Sequence, residues 1–289
     1  MSEPSLLATS DLHVSHPGNR ELVDGIRPRH EEDWLIVAGD VAETTADIEA
    51  TLRMLRDRFA KVIWTPGNHE LWTTPRDEFQ LRGEERYLHL VELCRGMDVL
   101  TPEDEYPVWR SEDDAVVVAP LFLLYDYSYR DQDMPLDAAL EHARDTGVVC
   151  TDEYLLHPDP YPSRVDWCRQ RIAATLPRLA DIDPAMRTVL VSHWPLCRDP
   201  TRMLRYPQFA MWCGTELTAD WHQRFRAATV VYGHLHIPLT FSFDGVRFEE
   251  VSLGYPREWR SREYEPQLLR CIVPSDDTRK LGNHYLEGR

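Results

Sequence analysis

Trp34-Leu35-Ile36-Val37-Ala38-Gly39-Asp40 is an apolar run of β-formers that stops at a glycine and a carboxylate. A short apolar run closed by a turn signal reads as a buried strand. The aspartate then arrives at the strand's carboxyl end, where open α/β sheets place ligands. Working outward, the pattern recurs on both sides. Leu6-Leu7-Ala8 leads to Asp11-Leu12-His13, and Lys61-Val62-Ile63-Trp64 to Gly67-Asn68-His69-Glu70. Further on, Thr188-Val189-Leu190-Val191 leads to His193, and Thr229-Val230-Val231-Tyr232 to Gly233-His234-Leu235-His236.

Pooled, these clusters supply two carboxylates, an amide oxygen and several imidazoles, a donor set suited to Mn, Fe or Zn rather than to thiolate-bound metal. Two metals fit it better than one. Asp11 and His13, two apart at a strand end, would point to one side and can ligate one metal together. Asp40 can bridge two metals, His236 completes the first, and Asn68, His193 and His234 complete the second. Singly, Asp40 could be a turn residue, Asn68 an Asx-turn and His193 a satisfied core histidine. Their common order, each after a β-rich run, argues against that for the set.

The groups that must converge run from Asp11 to His236, so residues 1–289 read as a single domain. Residues 46–59 carry Ile48, Leu52, Leu55 and Phe59 at helical spacing behind Thr44-Thr45, with Asp47 and Glu49 in the first turn. Helices are also expected within 18–33 and over 83–97 and 164–179. Strands are expected over 115–120, 239–243 and 246–253. The aromatic and proline-rich stretch 121–187 is expected to wall the site.

The net charge of −17 disfavours sequence-independent nucleic-acid binding. No apolar stretch approaches the roughly 18 residues needed to span a bilayer, so no membrane role is expected. Met-Ser-Glu-Pro has no export signature, and the six cysteines form no CxxC pair. A cytoplasmic location and reduced thiols follow as expectations. Against the acidic background, Arg198, Arg202 and Arg205 recur in one short segment, and Arg257, Arg260 and Arg262 in another. Together they could form a substrate-binding surface for an anion or acidic partner, as well as an ordinary solvated surface.

The ordered set DxH, GD, GNH followed by an acid, a lone His and GHxH resembles the signature of the calcineurin-like metallophosphoesterases over residues 6 to about 255. The resemblance implies an α/β (α+β) four-layer fold, with a central double β-sandwich flanked by helices. It implies a dinuclear site with the ligands assigned above, two divalent or mixed-valence ions of Mn or Fe with Zn as a further option, and attack by a metal-bridging hydroxide. His69 would then protonate the leaving oxygen, oriented by Glu43. Thr44 stands where phosphoprotein phosphatases of the family keep an arginine, which argues against that activity.

Residues 33–43, 67–74, 122–128, 212–215 and 254–259 resemble more closely the actinobacterial phosphopantetheinyl hydrolases. That family releases 4′-phosphopantetheine from the serine of a holo acyl or peptidyl carrier protein. Carrier proteins are typically acidic, so the arginine clusters are the candidates for docking. A hydrolase of small phosphate esters or nucleotides is the alternative, and a non-catalytic scaffold a further one. The complete ligand set weighs against the scaffold. His16 reads as a loop histidine and Glu70 as a brace of its own turn, while Trp72 and Trp194 lie close enough to the ligands to wall a substrate. The oligomeric state has no signature in the sequence.

Overall fold

The computed structural model describes residues 3–112, 114–262 and 266–274. Its strands are β1 (Leu6–Thr9), β2 (Trp34–Val37), β3 (Lys61–Trp64), β4 (Val99–Leu100), β5 (Val108–Arg110), β6 (Ala115–Leu121), β7 (Arg187–Ser192), β8 (Ala227–Tyr232), β9 (Thr240–Phe243), β10 (Val246–Glu250) and β11 (Arg270–Val273). Its α-helices are α1 (Pro17–Asp24), α2 (Thr45–Arg56), α3 (Asn68–Leu71), α4 (Gly83–Arg95), α5 (Leu136–Asp145), α6 (Asp152–Leu155), α7 (Arg164–Ala180), α8 (Trp221–Arg224) and α9 (Pro256–Trp259). The strands form a five-stranded sheet, β11-β1-β2-β3-β4, and a six-stranded sheet, β5-β6-β7-β8-β10-β9.

Both sheets are parallel through their centres, with antiparallel partners only at β11, β5 and β9. Parallel strands need crossover connections, which is why helices intervene in the sequence. Side chains alternate faces along a strand, and that alternation separates two cores. Leu6, Ala8, Ile36, Ala38 and Ile63 of the first sheet pack with Val116, Val118, Val189, Val191 and Val231 of the second. Their strand neighbours Leu7, Leu35, Val37, Val62 and Trp64 turn the other way, into a cluster with Ile48, Leu52 and Leu55 of α2 and Leu90 and Val91 of α4. On the second sheet Leu190, Val230 and Phe248 belong to that same cluster, together with Trp167, Cys168 and Ile172 of α7. The result is helix, sheet, sheet, helix, as the resemblance implies. Each fully buried Leu, Ile or Val stabilises this arrangement by about 1.5–3 kcal/mol.

Thr44 caps α2 by accepting from the Asp47 amide. The helix ends at Arg56 rather than at residue 59. Phe59 remains buried and its amide still donates to the Leu55 carbonyl, so the apolar stripe outlasts the regular backbone by one turn. Among the described residues no helix is long and apolar enough to cross a membrane. Cys94, Cys150, Cys168, Cys197 and Cys213 are buried free thiols.

Candidate metal centre

The carboxyl ends of β1, β2, β3, β7 and β8 point to one end of the sandwich, and Asp11, Asp40, Asn68, His193 and His234 follow them there. Asp11 and His13 converge for a different reason from the alternation expected of a strand end. β1 stops at Thr9, and both residues lie in the left-handed region, at φ +52° and +41°. Asp40, His234 and His236 do the same, at +55°, +69° and +56°. Aspartate and histidine tolerate this region better than most residues, but each instance still costs on the order of 1–3 kcal/mol. Concentrated at five candidate ligands, the cost falls where the chain must turn sharply inward. Gly67 and Gly233 are needed for close approach, because an added Cβ would collide with the carboxylates of Asp40 and Asp11 respectively.

The donor atoms fall into two adjoining groups. Asp11 Oδ1 lies 3.0 Å from His236 Nε2, which faces His13 Nε2 at 3.2 Å. In the second group His234 Nδ1 is 3.1 Å from Asn68 Oδ1 and 3.2 Å from His193 Nε2, which lies 3.4 Å from Asp40 Oδ2. Asp40 Oδ2 is also 3.9 Å from His13 Nε2, so this carboxylate stands between the groups. The three carboxylate and imidazole clusters that can hold a metal ion among the described residues are Asp11, His13, His236; Asp11, Asp40, His193; and His13, Glu43, His69.

The neighbouring residues fix which atoms face inward. His193 Nδ1 donates to the Ala38 carbonyl at 2.9 Å, and His236 Nδ1 to the Glu258 carboxylate at 2.7 Å. With Nδ1 so committed in each ring, Nε2 faces inward, where it meets carboxylate oxygens and another imidazole. Buried carboxylate oxygens and imidazole nitrogens turned on one another are stabilised by cations held among them, and this donor set fits two metal ions. Asp152 accepts from Asn68 Nδ2 at 3.0 Å, which turns Asn68 Oδ1 toward the histidines. Asp40 Oδ1 accepts from the His69 amide at 2.9 Å, leaving Oδ2 to face the centre.

The titrations reflect the same crowding. Burial would raise the carboxyls of Asp11 and Asp40, but the surrounding histidines outweigh it and hold both low. Burial would lower His193, yet Asp40 and Asp11 bring it up to about 9, whereas burial and His193 push His234 down to about 3. Glu70 accepts from the amides of Gly67, Asp40 and Val41, so it braces two ligand turns rather than its own alone. Burial and the charge of Asp40 raise it to about 7.

His69 stands beside the ligands without sharing their arrangement. Its Nδ1 donates to Glu43 Oε1 at 3.0 Å, and its Nε2 lies 3.7 Å from Asp40 Oδ2 and 3.3 Å from Tyr255 Oη. Burial favours the neutral ring, but Asp40 and Glu43 outweigh it and raise the pKa. Glu43 is in turn held at about 2, since hydrogen bonds from His69 and Ser15 overcome its burial. Trp72 lies against His69 at 3.6 Å between ring centroids, and Trp194 is 5.1 Å from His193. His16 is exposed and meets Tyr255 edge-on.

The predicted arginines are not brought together with the imidazoles. Arg198, Arg202 and Arg205 are exposed on the segment that follows His193, with Arg202 paired to Asp199 at 3.3 Å. Arg257 within α9 and Arg260 just after it lie over the rings of Tyr255 and Trp259. The two clusters therefore belong to different walls.

Sequence reasoning missed Tyr255, Glu258 and Asp152. Tyr255 stacks on His13 at 4.5 Å and meets His236 edge-on at 4.9 Å. Tyr255 and Glu258 lie within 254–259, a stretch singled out only for its resemblance. Asp152 carries no spacing signal, because its relation to Asn68 exists only in the fold.

Residues 4–238 match the calcineurin-like phosphoesterase family. The chain is 54% identical over 274 residues to the acyl-carrier-protein phosphodiesterase PptH of Mycobacterium tuberculosis, across 94% of this chain and 84% of that protein. The crystal structure of phosphopantetheinyl hydrolase from Mycobacterium tuberculosis matches with a TM-score of 0.92 at 53% identity, over 95% of this chain and 97% of that one. The protein TT1561 of Thermus thermophilus matches with a TM-score of 0.46 at 13% identity, over 86% and 89% of the two chains. With the family's model spanning most of its length and a relative more than half identical, this chain belongs to the calcineurin-like phosphoesterases.

Proposed function

We propose that this enzyme hydrolyses the phosphodiester between 4′-phosphopantetheine and the serine of an acyl or peptidyl carrier protein, using two metal ions. The substrate reading is carried by the 54% identity to the acyl-carrier-protein phosphodiesterase across 94% of this chain, well beyond the ligand motifs. In this reading Asp11, His13, His236 and Asp40 hold one ion, and Asp40, Asn68, His193 and His234 the other. Mn, Fe or both suit these oxygen and imidazole donors, and Zn is a further option. Bound there, such ions supply Lewis acidity toward phosphoryl oxygens and make water nucleophilic at neutral pH.

The chain's own residues do the rest. A water oxygen bonds to phosphorus and gives one proton up to solvent, the phosphorus–serine oxygen bond breaks, and the serine oxygen takes a proton. His69 is the donor: Glu43 holds its Nδ1, so the proton on Nε2 faces the side on which Asp40 Oδ2 lies. A positioned acid of this kind contributes about 10²–10⁴-fold. The products are 4′-phosphopantetheine and a carrier with a free serine. Residues 121–187 wall the site in this reading, with Asp152 orienting Asn68. This reading puts the reaction in the cytoplasm, where free thiols such as the buried Cys150 and Cys213 would stay reduced.

Mass spectrometry of a holo carrier protein incubated with enzyme and Mn(II) tests the proposal. Loss of one phosphopantetheine mass is expected. An unchanged carrier, alongside turnover of free phosphate esters or nucleotides, would move the enzyme to small substrates.

A further inference from the structure

We propose that residues 198–206, which expose Arg198, Arg202, Met203, Arg205 and Tyr206, form the surface on which an acidic carrier protein docks; this rests on the substrate proposed above. The position of the scissile bond requires such a surface. Cleavage occurs at the serine oxygen, two bonds from the carrier's own Cα, and not at the far end of the pantetheine arm. The carrier backbone must therefore come within a few ångströms of the metal centre, and the rim of the site touches the carrier itself.

The segment reaches that rim from the His234 side. Its two 3₁₀ turns, Asp199–Met203 and Pro207–Trp212, pack on each other, and Phe209 of the second lies 5.8 Å from the His234 ring at an interplanar angle of 23°. Outward, the segment exposes Met203 at 45% and Tyr206 at 52%. Arg198, Arg202 and Arg205 are exposed in the same short segment. Asp199 is the sole carboxylate in 198–209 and is taken by Arg202, while Arg205 lies over the Tyr206 ring at 5.5 Å.

A positively charged segment with two exposed apolar side chains, on a chain of net charge −17, complements an acidic partner with an apolar ridge. The other arginine cluster is different. Arg262 donates to the backbone carbonyls of Leu253 and His236, and Arg257 and Arg260 rest on the aromatic rings of their own wall. Arg262 thus ties its wall together through the backbone, whereas the 198–206 face is turned to a partner.

Two double variants test this, Arg202→Glu with Arg205→Glu and, separately, Met203→Ser with Tyr206→Ser, each checked for an unchanged thermal midpoint. Holo-carrier turnover, binding of the apo carrier and hydrolysis of a small aryl phosphodiester are measured side by side. The charge-reversed pair is expected to raise the KM for holo carrier about ten-fold or more and to weaken apo-carrier binding by a similar factor, since opposed charges at a rim govern encounter. Turnover of the aryl diester should be spared in both variants. Added salt should slow the wild-type enzyme on carrier more than the charge-reversed one, because exposed charges beyond about 8 Å are screened at physiological ionic strength. Wild-type levels of carrier KM and binding in both variants overturn the docking surface while leaving the substrate reading intact. Equal losses on carrier and aryl diester also overturn it, by moving the arginines to the phosphate. A wild-type enzyme that does not act on holo carrier removes the substrate reading, and this surface with it.

Discussion

The wall at 255–260 and the wall at 198–209 border the same centre, yet they meet it through different chemistry. Tyr255 stacks on His13 and reaches His69 Nε2, Glu258 accepts a hydrogen bond from His236 Nδ1, and Trp259 Nε1 donates to Asn19 Oδ1 at 2.8 Å. Asn19 in turn donates to the carbonyls of Leu12 and Gly254, tying that wall to the loop that carries Asp11 and His13. The other wall meets the imidazoles through the Phe209 ring and turns its charged side chains outward. The contrast teaches that a side chain near a reactive centre is read by where its polar atoms are committed. Polar atoms of the first wall orient the ligands, and the arginines of the second face outward, Arg202 paired with Asp199.

The largest expected effect falls on the chemical side. His69→Ala should retain both metals and lose about 10²–10⁴-fold on an alkyl phosphodiester, where the leaving oxygen needs a proton. It should lose much less on an activated aryl diester, and equal losses on the two would assign His69 to binding instead. Next comes Glu258→Gln, which removes the carboxylate behind His236. Metal affinity, read by chelator competition, is expected to fall about 10–100-fold, whereas Phe209→Leu on the other wall should leave it unchanged. Similar losses from both would erase the distinction between the walls.

The smallest effect is a shift in pH dependence. Burial favours neutral His69, but Asp40 and Glu43 raise its pKa, and the protonated ring is the working form. Turnover limited by this acid therefore holds at lower pH and declines as pH rises through the raised value. Glu43 is the raising partner that remains available once Asp40 is committed to metal. Glu43→Gln should thus move the alkaline limb of kcat/KM to lower pH. A limb that stays in place removes Glu43 from that role.

Much of the fold was legible because β-rich runs and polar clusters alternate along the chain, and a strand buried on both faces needs little context to be recognised. The short strands β4, β5 and β11 were not. Val99 and Leu100 form a strand through β3, and β11 through β1, a partner more than two hundred positions away in sequence. Pairing of that kind leaves no local period. At the site, the candidate ligands were visible because each glycine and each Asp, Asn or His sits at a strand exit. The backbone conformation that makes Asp11 and His13 converge was not, since a left-handed turn at a non-glycine residue is imposed by packing. Asp152 and Glu258 stayed hidden for a related reason: each acts through the far side of a ligand, at a distance set by the fold.

Asp40 is the residue on which the metal assignment turns, because its Oδ2 faces His193, His13 and His69 at 3.4, 3.9 and 3.7 Å. Elemental analysis of purified, metal-loaded protein, wild type beside Asp40→Ala, is the most direct test of a bridged two-metal centre. Two metal ions per chain are expected in the wild type, and no more than one, with turnover lost, in the variant. A folded Asp40→Ala protein that keeps two ions and full activity would contradict the assignment.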